Sequence, residues 1–173
     1  NLGEITKAGF NVPEGFVLSS HAYYDFIREN NLAIKIKFFI SSTNFDNQSS
    51  LNQVSKHIKD LIFKGKMSKE LIDEILTAYQ KLGEPLVAVR SSATAEDLAN
   101  ASFAGQQESF LNVKGDAVLI EKIKEGWASL FGARAIFYRH QQKFDHVKTG
   151  IALVIQKMIE SEQSGVMFTI DPI

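Results

Sequence analysis

Residues 87–97 read VAVRSSATAED. Val87 to Arg90 have the character of the end of a buried strand. The chain then turns through Ser91, Ser92, Ala93 and Thr94 toward two acids, Glu96 and Asp97. An arginine at the end of an apolar strand is costly unless its guanidinium leaves the core or meets an anion. Its planar fork matches the oxygens of a phosphate or a carboxylate. Ser91, Ser92 and Thr94 would offer hydroxyls and backbone N–H groups to the same anion. The competing reading pairs Arg90 with Glu96 or Asp97 as a structural ion pair.

Toward the C-terminus, SSATAEDLANASFAGQQES (91–109) is long, small and polar, a connection with loop chemistry rather than core. Within it Gly105 permits close backbone approach or positive φ. Gln106, Gln107 and Ser109 are uncharged donors and acceptors that can lie over a phosphate chain. The same spacing also suits an ordinary glycine turn leading into a strand, and neither G-x-x-x-x-G-K-[ST] nor G-x-G-x-x-G is present. ESFLNV (108–113) reads as that strand. DAVLIEKIKEGWASLFGARAIFYRHQQ (116–142) is amphipathic with a helical period and a bend expected near Gly126 or Gly132. GIALVIQKMI (150–159) is the clearest buried strand. Gln156 interrupts its apolar run, either to face a ligand cleft or to bond backbone at a strand end. GVMFTIDP (165–172) reads as a further strand. Asp171 before Pro172 is a metal ligand or, more commonly, a turn former.

Toward the N-terminus, Pro85 leads into the strand, and Gly83 closes a helix capped by Ser68 and striped by Leu71, Ile72, Ile75, Leu76 and Tyr79. A preceding helix repeats Leu51, Val54, Ile58, Leu61 and Ile62. SSTNFDNQSS (41–50) is a polar loop, and NLAIKIKFFI (31–40) alternates partly like a strand between helical neighbours. HAYYDFIREN follows an N-cap at Ser19 or Ser20 and buries Ala22, Tyr23, Phe26 and Ile27. A short strand, FVL (16–18), and a first helix ending at Gly9 complete the pattern. Helices lead, and strands separated by a long helix follow, which predicts an α+β fold.

The 173 residues are 45% hydrophobic and 23% charged, with 19 basic and 20 acidic side chains and a net charge of −1. No basic excess draws the chain to nucleic acid or anionic membrane. The absence of cysteine excludes disulfides, thiolate metal sites and cysteine nucleophiles, and suits a reducing, cytoplasmic compartment. No apolar run is long enough to span a membrane. The four histidines, His21, His57, His140 and His146, lack metal-ligand spacing.

NLGEITKAGFNVPEGFVLSSHAY (1–23), VAVRSSATAEDLANASFAGQQESFLNV (87–113), GWASLFGARAIFYR (126–139) and VIQKMIESEQSGVMFTIDP (154–172) together resemble the N-terminal nucleotide-binding domain of the phosphoenolpyruvate synthase and pyruvate phosphate dikinase family. Rifampicin phosphotransferase carries the same domain. The resemblance implies an ATP-grasp-type first lobe, with helices packed on a mixed sheet. Residues 1–157 would form the first lobe and hinge, and 158–173 the start of a second lobe. It implies ATP and Mg²⁺ as cofactors, a phosphoryl-accepting histidine domain of the same chain, and pyruvate as the substrate met by other domains. Arg90 would contact the ATP phosphates, Gly105 and Ser109 would lie at the phosphate loop, and Gln156 would line the nucleotide pocket. Backbone groups of Lys157, Met158 and Ile159 would reach adenine. The family's upstream Gly-Gly-Lys-Gly segment, its acidic metal ligands and its second phosphate-binding arginine are not in these 173 residues. The chain therefore reads as a fragment expected to have no turnover of its own. Arg90-Ser91-Ser92-Ala93 departs from the dikinase's Arg-Ser-Gly-Ala form, and QQESFLNV and SEQSGVMFTIDP favour the synthase.

Overall fold

The computed structural model describes residues 2–93 and 108–165. In chain order its elements are α1 (Leu2–Lys7), β1 (Gly15–Leu18), α2 (Ser20–Glu29), α3 (Leu32–Ser41), α4 (Gln48–Lys64), α5 (Lys69–Lys81), β2 (Val87–Ala93), β3 (Ser109–Val113), α6 (Asp116–Ser129), α7 (Ala133–Gln141) and β4 (Ile151–Lys157). Helices and one sheet share a core, so the α+β expectation holds. The strand expected over 165–172 lies outside the described residues.

The four strands run in the order β1-β4-β2-β3. Every described pairing is antiparallel, which corrects the expectation of a mixed sheet. The reason lies in the connections. β3 and β4 do run parallel to each other, joined by the α6–α7 crossover, but β2 lies between them and opposes both. Strands of period two then divide the sheet into two faces. Val87, Val89, Leu153, Ile155 and Leu18 are buried on one face. α2 and α6 cover that face, and α4 packs on α6 from outside.

The covering helix comes unusually close. A Cβ on Gly126 would lie 2.8 Å from a Leu153 methyl, so glycine lets α6 cross β4 without displacing that side chain. Gly126 is therefore a contact point inside a straight run. The expected interruption falls at Leu130–Gly132, which separates α6 from α7. Trp127, one residue on, is fully buried between Phe26 and Tyr23, with ring centroids 4.8 and 6.2 Å away.

The ambiguous 31–40 stretch is helical. Leu32 and Ile36 are buried, with Ala33, Phe39 and Ile40 packed beside them, a 3.6-residue period. The apparent alternation comes from Lys35 and Lys37 between isoleucines. The cost of that conflict is visible: Ile34 and Phe38 face solvent.

Polar links hold the helices at fixed points. The Ser55 hydroxyl donates to the Phe131 carbonyl at 2.6 Å. Lys124 Nζ donates to the Phe63 and Gly65 carbonyls, placing a cation on the C-terminal end of α4. Tyr79 donates to the Pro85 carbonyl and accepts from the Gly115 N–H, which ties α5 to the start of β2 and the start of α6. Arg139 is buried without a carboxylate partner. It donates to the Leu130 carbonyl and to His146 Nδ1, and lies over the Phe131 ring. His57 and His140 are exposed.

Two outcomes follow from this packing. A Cβ on Gly15 would meet the Ile155 carbonyl oxygen at 2.4 Å, a backbone contact that cannot rotate away. Gly15→Ala is expected to lower stability by about 1–3 kcal/mol in denaturant unfolding, the usual range for overpacking. His146 must keep Nδ1 unprotonated to accept from Arg139. Burial first, then the charges of Arg139 and His140, push it down to about 4 from an ordinary 6.5. Between those values the unfolded chain binds the extra proton. The stability this ring contributes is therefore complete above about pH 6.5 and is lost as pH falls through 4. Discounted for partial exposure, the loss is on the order of 1 kcal/mol. Urea unfolding at pH 7 and pH 4.5 should show it, and His146→Gln, which still offers an acceptor, should flatten it.

Candidate functional site

Arg90 owes its position to its neighbours in β2. Val87 and Val89 are fully buried on the helix-covered face, so alternation turns Ala88, Arg90 and Ser92 to the opposite face. No helix of the described residues covers that side of β2, and both Arg90 and Ser92 are exposed. Ser91 points the other way and donates to the Glu108 carbonyl at 3.2 Å. The hydroxyls grouped together in the sequence are thus divided by the pleat. Ser92 shares the face of Arg90, and Ser91 fastens β2 to β3.

Register brings the other candidates to the same face. Arg90 stands opposite Ser109 of β3 and Val154 of β4, and Ala88 stands opposite Gln156. Directly opposed residues on antiparallel strands share a face, so Arg90, Ser109 and Gln156 line one surface across three strands. A bulge helps to set this register. Three steps of β3, from Phe110 to Val113, span two steps of β2, and Asn112 takes φ 57°. Phe110 and Val113 both keep an inward position while Ser109 stays opposite Arg90.

Arg90 makes no ion pair or side-chain hydrogen bond among the described residues. Glu96 and Asp97, its alternative partners, lie outside them. So do Gly105 and Asp171. Gln156 is 8% exposed, and its Nε2 donates to the Pro13 carbonyl at 3.1 Å. The backbone-bonded reading of this residue is the one observed: it lies on the Arg90 side of the sheet, but it is buried and its amide is fastened to backbone. Beyond it, the Lys157 N–H donates to the Glu14 carbonyl and the Met158 N–H to the Leu86 carbonyl, each at 2.8 Å. These two donors hold the strand end. A ligand at this segment would find Ile159 and backbone carbonyls rather than those N–H groups.

An exposed cation with a serine opposite and no counter-ion among the described residues fits a phosphate-bearing ligand. The described residues hold no group of three or more histidine, cysteine or acidic side chains that could coordinate a metal. A cavity of about 380 Å³ lies elsewhere, between α4 and α7, lined by Phe45, Leu51, Ala133, Arg134 and Phe137 among others. The Arg90 surface is an open sheet face rather than an enclosed pocket.

Tyr79 is the supporting residue that the sequence reading did not single out for this role. It appeared there only as one member of a helical stripe. Its hydroxyl sets where β2 begins, and a helical tyrosine near a following Pro85 is the one signal that hinted at it.

The described helices include none long and apolar enough to cross a membrane. The family model for the pyruvate phosphate dikinase AMP/ATP-binding domain matches residues 1–173. A probable phosphoenolpyruvate synthase of Methanocaldococcus jannaschii is 46% identical across all of this chain, which covers 15% of that protein. A phosphoenolpyruvate synthase of Aeropyrum pernix is 47% identical over 99% of the chain, covering 22% of the relative, and one of Pyrococcus furiosus is 40% identical over 100%, covering 26%. The chain thus spans about a quarter or less of the curated relatives it matches. By this match over its whole length, the chain belongs to the family of pyruvate phosphate dikinase AMP/ATP-binding domains.

Proposed function

We propose that the open sheet face holds ATP, with Arg90 on its phosphates, in a protein that converts ATP, pyruvate and water to AMP, phosphoenolpyruvate and phosphate. The observation that carries this reading is the convergence of exposed Arg90 and Ser109 with buried Gln156 on one sheet face of a domain whose family binds AMP or ATP. The choice of pyruvate as final acceptor rests on the names of the relatives. Phosphoryl transfer asks a protein for positioning and charge neutralisation more than for covalent chemistry. Arg90 supplies a fixed charge, and its fork can grip two phosphate oxygens. Ser109 and Ser92 supply hydroxyls on the same face. Gln156 sets the distance between β4 and the Pro13 segment, and the backbone around Ile159 offers an edge for the base. Gly105 belongs, in this reading, to the loop over the phosphates.

Mg²⁺, when bound with ATP, neutralises phosphate charge, and its ligands belong to segments other than those described. The β-phosphoryl passes to a histidine of another domain of the same polypeptide and from there to pyruvate. The γ-phosphoryl leaves to water as phosphate. In this reading a hinge lies at the end of β4, with residues 1–157 as first lobe and 158–173 opening the second. In this reading the protein is a cytoplasmic enzyme with no nucleic-acid or membrane partner, which the net charge of −1 suits.

Arg90→Ala in the full-length protein, followed by phosphorus NMR with ATP, pyruvate and Mg²⁺, tests the reading. Removing a charged hydrogen-bond donor to phosphate is expected to cost about 1.5–3 kcal/mol, roughly a 10- to 150-fold fall in AMP and phosphoenolpyruvate formation. Arg90→Lys should recover part of it. Undiminished turnover in Arg90→Ala would overturn the role given to Arg90, and consumption of ATP indifferent to pyruvate would overturn the acceptor.

A further inference from the structure

Among the described residues β1 is an edge strand, paired with β4 on one side only. The Lys157 N–H donates to the Glu14 carbonyl, so the bonded pairs continue at Phe16 and Leu18. Antiparallel alternation then turns the N–H and C=O groups of Gly15 and Val17 away from β4. Neither residue has another backbone or side-chain hydrogen bond among the described residues. Val17 is 63% exposed. This is an unpaired strand edge with its hydrogen-bonding groups free.

α5 runs beside that edge. Two concavities lie between them, end to end. One, of about 370 Å³, sits between Val17–Ser19 and the α5 residues Glu70, Leu71 and Glu74. The other, of about 450 Å³, sits between Glu14–Phe16 and Ala78, Lys81 and Leu82. The α5 residues recur at helical spacing, so one helix stripe forms the far wall of a continuous trough. Leu18, Leu71, Phe16 and Leu82 give it an apolar floor. Its rim is acidic: Glu14, Glu29, Glu70 and Glu74 make no ion pair among the described residues, and Asp25 is bridged to Arg28 at 2.7 Å. Lys81 is the one basic side chain lining either concavity.

A strand edge facing a helix across an apolar trough is the geometry in which an extended peptide adds to a sheet. We propose that the β1–α5 trough binds an extended, lysine- or arginine-bearing segment of another protein, which pairs with β1 as a fifth strand. Main-chain bonds to Gly15 and Val17 hold the segment. The carboxylates of Glu70 and Glu74 select alternate basic side chains. A four-residue strand spans about 13 Å, which suits a segment of about four or five residues. Pairing of two copies through β1 is disfavoured, because it would set the same acidic rims against each other. β4 separates this edge from β2 and Arg90, although Gly15 and Val17 stand opposite Gln156 and Val154 and so share the face of Arg90.

The test uses the full-length protein and two labelled probes, acetyl-(Lys-Val)₃-amide and acetyl-(Glu-Val)₃-amide, followed by fluorescence anisotropy. The basic peptide is expected to bind saturably and at least about tenfold more tightly than the acidic one, and to weaken with salt. Reversing two rim charges in Glu70→Lys/Glu74→Lys, on an exposed helix face, should weaken it by about tenfold or more. Val17→Pro removes an outward N–H without touching the bonds to β4, a substitution edge strands tolerate, and should abolish binding. Equal binding of both probes, or basic-peptide binding that survives both variants, would overturn the proposal. So would self-association that Val17→Pro abolishes in the absence of peptide binding, since the edge would then pair copies of the protein.

Discussion

The arrangement depends on β2 being buried on one face and bare on the other. Val87 and Val89 are fixed under α6, and the two-residue period of a strand leaves Arg90 no inward option. A shift of one residue would bury the guanidinium against Trp127 and Leu153 and expose two valines. The penalty for an uncompensated buried charge is several kcal/mol, so the core itself holds the arginine outward. The outward position of Arg90 is a by-product of hydrophobic register, not of any side-chain bond it makes among the described residues.

The rest of the domain guards that register. β4 pairs with β2 along seven residues, from Lys157 opposite Val87 to Ile151 opposite Ala93. Gly126 lets α6 press directly on Leu153, and Tyr79 sets the start of β2 from outside the sheet. The bulge at Asn112 lets β3 keep both Phe110 and Val113 inward while still presenting Ser109 beside Arg90. Each device uses a residue of a specific kind: a glycine for close approach, a tyrosine with a reachable hydroxyl, an asparagine that tolerates positive φ.

Much of this was legible in the sequence because the signals are local and periodic. The stripes of α2, α4 and α5 name the inward faces, although Ala22, Leu61, Leu71, Ile72 and Leu76 are only partly buried, and the apolar runs around Val89 and Leu153 read directly as strands. The α3 stretch was ambiguous because two lysines between isoleucines imitate a strand, and only burial of Leu32 with Ile36 separates the periods. Strand order was not legible. A helical crossover between β3 and β4 suggests parallel neighbours, and nothing local says that β2 lies between them. The buried Arg139 was invisible for a similar reason. Its partners, the Leu130 carbonyl and His146, are a helix end and a loop residue that only the turn of α7 brings together. At the candidate site the residue types were legible and their division between faces was not. Ser91 and Ser92 look equivalent until the pleat separates them, and only the bond to Pro13 shows that the Gln156 amide is fastened to backbone.

A crystal structure of the full-length protein with a non-hydrolysable ATP analogue bears most directly on the central claim. The expected result is a phosphate oxygen within about 3 Å of the Arg90 guanidinium, on the face shared with Ser109 and Gln156. A nucleotide seated on the helix-covered side, or an Arg90 turned onto a carboxylate with no phosphate contact, would contradict it.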